Sequence, residues 1–279
     1  MICIGGYEII GIIGKGGVGT VYKARDAAQD RFVALKVLKG SLSRNVSFIE
    51  RFRREAELAR RIVHPNVVQT YEAGKDGARY YICMEYVDGA PLLRLMRMAE
   101  PQSAFTEARA IEIVMQIASG LRAAHQAGII HGDVKPGNIL IESSGVAKLS
   151  DLGMAAELLA DGDARTRGAT AKYAAPEQLL RGGRADARSD IFSLGATFFE
   201  MLAGVPLRRP HESLDEAARV HNVEGILLTF NPRVSPAVAQ IVDSMTAPSP
   251  ASRFQNCDEL LAALSASLCG TPESVYHQS

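Results

Sequence analysis

Apolar and polar positions alternate along the first third of the chain. YEII, TVYKA, FVALKVL and YYICMEY carry the period of strands, whose successive side chains point to opposite faces. Up to about residue 84 the pattern predicts short antiparallel strands, interrupted by one helix over residues 48–63. After Asp88-Gly89 the spacing lengthens to that of helices. TEARAIEIVMQIASGLRAAHQAG predicts a helix that ends at Gly128, a residue suited to a C-cap. IFSLGATFFEML, residues 191–202, is apolar all round and too short to span a bilayer, so it predicts a helix buried on every side. A strand-rich front and a helix-rich back predict an α+β fold in two lobes, with a ligand cleft where they join. No internal repeat is present, and the last dozen residues, around GTPESVYHQS, read as a polar tail.

Composition narrows the function classes. The chain has 279 residues, of which 47% are hydrophobic, enough for one large core or two modest ones. Lys+Arg and Asp+Glu are both 31, so the formal net charge is zero and nothing calls for nucleic acid or an anionic membrane as partner. Cys3, Cys83, Cys257 and Cys269 are scattered without metal-site spacing. Free thiols in a reducing compartment are expected rather than disulfides or zinc. MICIGGYEII lacks the basic and apolar regions of a signal peptide, so a cytoplasmic location is expected.

The first chemical motif is ambiguous. Gly14 to Thr20, GKGGVGT, fits the front of a P-loop as G-x-x-x-x-G, and it fits G-x-G-x-x-G-x-V with Gly14, Gly16, Gly19 and Val21. A P-loop needs lysine directly after its last glycine and opens a helix. Here Thr20 holds that place and TVYKA continues as a strand, which favours a glycine-rich hairpin over phosphates. Alone, such a hairpin is weak support for any function. It needs a separate lysine, and Val33-Ala34-Leu35-Lys36 supplies one, with Ala34 and Lys36 on one strand face. A lysine placed inward needs a carboxylate. In SFIERFRREAELARRI, Phe48, Phe52, Glu55, Ala59 and Ile62 form one stripe, so Glu55 faces inward while Glu50 and Glu57 do not.

Further along stand His131-Gly132-Asp133-Val134-Lys135-Pro136-Gly137-Asn138 and Asp151-Leu152-Gly153. With these the chain resembles the eukaryotic-type serine/threonine protein kinases, bacterial members included, from about Tyr7 to Leu264. HGDVKPGN is similar to H-R-D-L-K-P-x-N, and DLG to D-F-G. The resemblance implies a bilobal kinase domain over residues 7–267, with an N-lobe to about 84, a hinge over 85–89 and a C-lobe beyond. It implies Asp133 as the base for the substrate hydroxyl, Lys135 on the γ-phosphate, and Asn138 and Asp151 as Mg²⁺ ligands. Lys36, held by Glu55, would contact the ATP phosphates beneath Ile13, Gly14, Gly16 and Gly19. Val21, Ala34 and Leu140 would sandwich adenine, Met84 would stand behind it, and the backbone of Glu85 to Val87 would hydrogen-bond it. Ala175-Pro176-Glu177 matches the A-P-E closing the activation segment, and Thr170 matches the threonine that contacts the catalytic Asp and Lys in Ser/Thr-specific members. Asp190 would anchor the catalytic loop, and Arg253 would pair with Glu177. The partners implied are ATP and proteins offering Ser or Thr, this chain's own hydroxyls among them.

Departures refine the expectation. Gly132 stands where many members have the arginine that binds a phosphorylated activation loop, so weak dependence on phosphorylation at Thr166 is expected. In TAPSPASRF the usual aspartate before proline is missing, with no physical account. A pseudokinase scaffold is the alternative function, but Lys36, Asp133, Asn138 and Asp151 are all present. A small-molecule kinase would share the catalytic aspartates but is not expected to carry Lys135, Thr170 and Ala175-Pro176-Glu177.

Overall fold

The computed structural model describes residues 2–98, 105–152, 172–180, 184–208 and 225–269. The alternating front of the chain forms one antiparallel sheet. Its strands are β1 (Cys3–Ile4), β2 (Tyr7–Lys15), β3 (Gly19–Asp26), β4 (Arg31–Leu38), β5 (Thr70–Asp76) and β6 (Arg79–Glu85), in the order β1-β2-β3-β4-β6-β5. The register sets Ala34 opposite Met84 and Lys36 opposite Ile82. Strand periodicity then sorts β4 by face. Val33, Leu35 and Val37 join Ala24, Tyr81 and Cys83 on one side, while Ala34 and Leu38 join Ile82, Met84 and Phe52 on the other. Both faces being covered, FVALKVL is an almost unbroken apolar run.

Helix α1 (Val46–Ala59) packs beside this sheet, and its Asn45 cap accepts a hydrogen bond from the Phe48 N–H. Phe52, Ala56 and Ala59 are buried, whereas Glu50 and Glu57 are exposed, as the stripe requires. The helix stops at Ala59, short of residue 63. Ile62 N–H donates to the Ala59 carbonyl in a tighter turn, and Pro65 disfavours a helical backbone at His64.

The second lobe holds α2 (Leu92–Met98), α3 (Glu107–Gln126), α4 (Pro176–Leu179), α5 (Ala187–Ala203), α6 (Ile226–Phe230), α7 (Pro236–Met245) and α8 (Cys257–Cys269). The apolar run at 191–202 lies in α5 and is buried on nearly every side, with α3, α6 and α7 against it. Gly128, just past α3, has φ +74, the left-handed backbone of a helix terminus. α8 continues through Cys269, up to the first breaker at Gly270, so the start of the expected tail is helical; residues 270–279 lie outside the described ones. Among the described residues no helix is long and apolar enough to cross a membrane.

A small sheet of β7 (Gly89–Pro91), β8 (Ile139–Glu142) and β9 (Ala147–Leu149) lies at the junction. The loop after α1 crosses to it: Val68 N–H donates to the Leu149 carbonyl at 2.9 Å and Leu149 N–H to the Asn66 carbonyl at 2.9 Å. The cleft between the lobes is thereby framed by β2–β4 and β6 above and by β8–β9 below.

Candidate active site

The glycine-rich stretch is a hairpin between two strands. Gly14 pairs with Val21 and Lys15 with Thr20, and Gly16 N–H donates to the Gly19 carbonyl at 2.9 Å. No helix follows, which removes the P-loop reading. Its glycines differ in what requires them. A Cβ on Gly19 would lie 2.2 Å from the Val37 carbonyl oxygen, so the approach of β4 forbids one. At Gly14 the nearest atom would be 3.7 Å away, in ordinary contact, so the fold itself leaves that position open to a side chain.

Beneath the hairpin, Val21, Ala34, Met84, Val87 and Leu140 share a single apolar cluster, drawn from both lobes and the segment joining them. Ile13 is 50% exposed and lies outside it, beside an irregularity of register between Ile12 and Gly14. The Glu85 side chain does not serve the cleft. One carboxylate oxygen takes the Lys148 ammonium at 2.7 Å and the other the Gln69 N–H at 3.1 Å, while Glu85 N–H donates to the Gln69 carbonyl at 2.8 Å.

Lys36 is 7% exposed, and its ammonium donates to Asp151 Oδ1 at 2.6 Å. Burial works against ionisation of Asp151, but the Lys36 charge and hydrogen bond outweigh it and hold the carboxyl below its usual range. Asp151 has φ +61, rare for a residue with a side chain and a mark of backbone held by its surroundings. Helical periodicity predicts Glu55 as a carboxylate for Lys36; the Asp151 contact, across 115 residues, has no local signal. Glu55 lies half-buried on the stripe between Phe52 and Ala59.

The loop from α3 to β8 is hung on Asp190, which is fully buried in the first turn of α5. Its Oδ2 accepts from His131 N–H at 2.9 Å and its Oδ1 from Gly132 N–H at 2.7 Å. Gly132 has φ +73, and its carbonyl accepts from Gln178 Nε2 at 3.0 Å. Within the loop, Asp133 Oδ2 accepts from Lys135 Nζ at 2.6 Å and from Asn138 Nδ2 at 3.0 Å. Asp133 Oδ1 is buried and has no hydrogen-bond partner among the described residues. An orphaned carboxylate oxygen costs free energy unless something arrives to use it.

Asn138 spends its amide nitrogen on Asp133, on the carbonyl at 2.9 Å as well as on Oδ2, which turns its amide oxygen to other use. The β8–β9 hairpin brings Asp151 back beside it, with Ser150 N–H donating to the Asn138 carbonyl at 2.8 Å. One amide oxygen and one carboxylate are hard donors, and Mg²⁺ takes few protein ligands where phosphates complete its shell. These residues therefore fit that ion. No group of three or more His, Cys, Asp or Glu side chains suited to a metal occurs among the described residues.

Below the loop, Arg253 grips Glu177 by two parallel hydrogen bonds, at 2.8 and 2.9 Å. Burial resists the charge on Glu177, yet the Arg253 and Ser189 hydrogen bonds hold its carboxyl below the ordinary range. Tyr173 O–H donates to Glu200 at 2.6 Å, fixing the chain just ahead of Ala175-Pro176-Glu177. Gln178, Glu200 and Lys148 carried no sequence signal, because each acts through a contact distant in sequence. Thr166 and Thr170 lie outside the described residues.

The chain matches the family model described as protein kinase domain over residues 7–263. It is 36% identical to serine/threonine-protein kinase PrkC of Bacillus subtilis, over 92% of this chain and 40% of that protein. It is 38% identical to serine/threonine-protein kinase PknB of Mycobacterium leprae, over 92% of this chain and 42% of that protein. It thus spans about two fifths of the length of these curated relatives. The crystal structure of the Mycobacterium tuberculosis PknI kinase domain superposes with a TM-score of 0.78 at 27% identity, covering 95% of this chain and 97% of that one.

Proposed function

Because the chain belongs to the protein kinase domain family and its relatives are serine/threonine-protein kinases, we propose that it transfers the γ-phosphoryl group of Mg·ATP to Ser and Thr hydroxyls of proteins. The observation that carries this reading is Asp133, with one carboxylate oxygen held by Lys135 and Asn138 and the other buried and unused among the described residues. The substrate hydroxyl gives its proton to Asp133 Oδ1 as its oxygen bonds to the γ-phosphorus, and the bond to the β–γ bridging oxygen breaks to release ADP. Mg²⁺, held by Asn138 and Asp151 against the phosphates, would neutralise charge on the phosphoryl oxygens. Lys135, beside the base, adds positive charge where the γ-phosphate must sit, and Lys36 does so for the inner phosphates. Glu55, inward on α1, is the second carboxylate we assign to Lys36. Adenine fits the cluster of Val21, Ala34, Met84, Val87 and Leu140, with the Glu85 carbonyl at its edge. Ile13 and the glycine hairpin would cover it, and Thr170 would select Ser and Thr hydroxyls.

A cytoplasmic location is supported by the free thiols at Cys3, Cys83 and Cys257. The discriminating assay is transfer of labelled γ-phosphate to the chain itself and to a basic protein, with Asp133→Asn alongside. Loss of roughly 10²–10⁴-fold in the variant is expected. Bound ATP with no transfer by the unaltered chain would instead support a nucleotide-binding scaffold.

A further inference from the structure

Asp190, which carries the catalytic loop, accepts a third hydrogen bond. His125, in the last turn of α3, places Nε2 2.8 Å from Asp190 Oδ2. A carboxylate that takes two backbone N–H donors and lies in the first turn of a helix is an acceptor only, so Nε2 must carry the ring's proton. In the neutral ring this leaves a lone pair on Nδ1. Facing that atom at 3.7 Å is Cys257 Sγ, at the start of α8 and 2% exposed. Three helices, two of them separated by 132 residues at this contact, thus converge on one imidazole.

We propose that Cys257 is a positioning residue for phosphoryl transfer: its thiol donates to His125 Nδ1, holds the ring against Asp190, and so secures Asp190 and the backbone of His131 and Gly132. The chain of contacts runs on to the base, since Asp133 N–H donates to His131 Nδ1 at 3.1 Å. The thiol keeps its proton at neutral pH. Burial pushes Cys257 up to about 12, with the Asp190 and Asp258 charges adding, against Arg122, which pairs with Asp258 at 3.1 Å. This role rests on the kinase reading for its consequence in turnover, but the ring's state does not depend on it.

The test is heteronuclear NMR of the histidine ring nitrogens in the full chain, with His125→Gln to assign the signal, in the unaltered protein, Cys257→Ala and Cys257→Ser. The expected result is His125 with its proton on Nε2 and a hydrogen-bonded Nδ1. In Cys257→Ala the Nδ1 signal should move to that of an unbonded lone pair, and kcat should fall roughly three- to tenfold, the effect of one ordinary hydrogen bond, with KM for ATP unchanged. Serine, also a donor, should restore both. A ring protonated at Nδ1 in the unaltered protein overturns the proposal without any variant. So does a ring in Cys257→Ala that is indistinguishable from the unaltered one, whatever kcat does. No substrate is needed for the spectrum, so a chain that transfers no phosphate would refute the kinase reading and leave the ring to decide this one.

Discussion

Gly132 and Asp151 both adopt left-handed backbone, at φ +73 and +61. For Asp151 the ion pair with Lys36 helps hold the residue there. For Gly132 the hydrogen bonds to Asp190 and Gln178 fix the peptide, and the absence of a Cβ avoids strain. Gly132→Ala is therefore expected to lower stability by about 1 kcal/mol, read as a shift of the denaturation midpoint; an unshifted midpoint would mean that the loop relaxes freely. Glycine here also removes the guanidinium that in many family members meets a phosphorylated loop. Thr166→Ala is accordingly expected to leave the transfer rate within about twofold, since one lost charge-assisted bond would cost far more. A large loss in Thr166→Ala, recovered by Thr166→Glu, would show that phosphorylation matters after all. At this scale the sequence offers these side chains by type and spacing, with Glu55 on the following helix as the carboxylate for Lys36. Its contact with Asp151 spans 115 residues and has no periodic trace.

Between elements, the Arg253–Glu177 pair ties the start of α4 to the turn ahead of α8. The guanidinium is fully buried and bonds three carbonyls besides, those of Ala247, Pro248 and Arg188. Glu177→Gln leaves that cation short of its counter-charge and should cost roughly 3–5 kcal/mol, read by denaturant unfolding. The pH dependence has a definite sign. Glu177 is held below the ordinary carboxylate range, so its contribution is full above that range and is lost as pH falls through the depressed value. The acid limb of stability should be flatter in Glu177→Gln; parallel limbs would place the acid sensitivity elsewhere. The strands β2, β3, β4 and β6 and the helices α1, α3 and α5 were legible because one face of each, or all of it, is apolar at a regular period. β7, β8 and β9 were not, being three or four residues long and set by pairing partners rather than by their own alternation.

Across the whole molecule, Glu85 and Lys148 join the last strand of the upper sheet to β9 of the lower lobe, both side chains largely buried. The pair holds the connecting segment on the side away from the cleft. Lys148→Met should leave the Glu85 carboxylate free to pull the segment out of register with adenine. KM for ATP is expected to rise by roughly tenfold, the equivalent of one charge-assisted hydrogen bond, with little change in kcat. An unchanged KM would mean that Gln69 alone suffices to hold Glu85.

The sequence by itself determined the two-lobed α+β order and the glycine hairpin, and it offered Lys36, Asp133, Lys135, Asn138 and Asp151 as candidates, because periodicity and motif spacing are local properties. Tertiary structure alone decided which polar atoms are left without a bond among the described residues. Among the described residues Asp133 keeps a bare Oδ1 while Lys135 and Asn138 take its other oxygen, Lys148 and Gln69 take the Glu85 carboxylate, and the loop from α3 to β8 is placed by Asp190 from α5. Hydrogen-bond satisfaction is settled by groups that meet from distant parts of the chain, and no local pattern records where those groups will be.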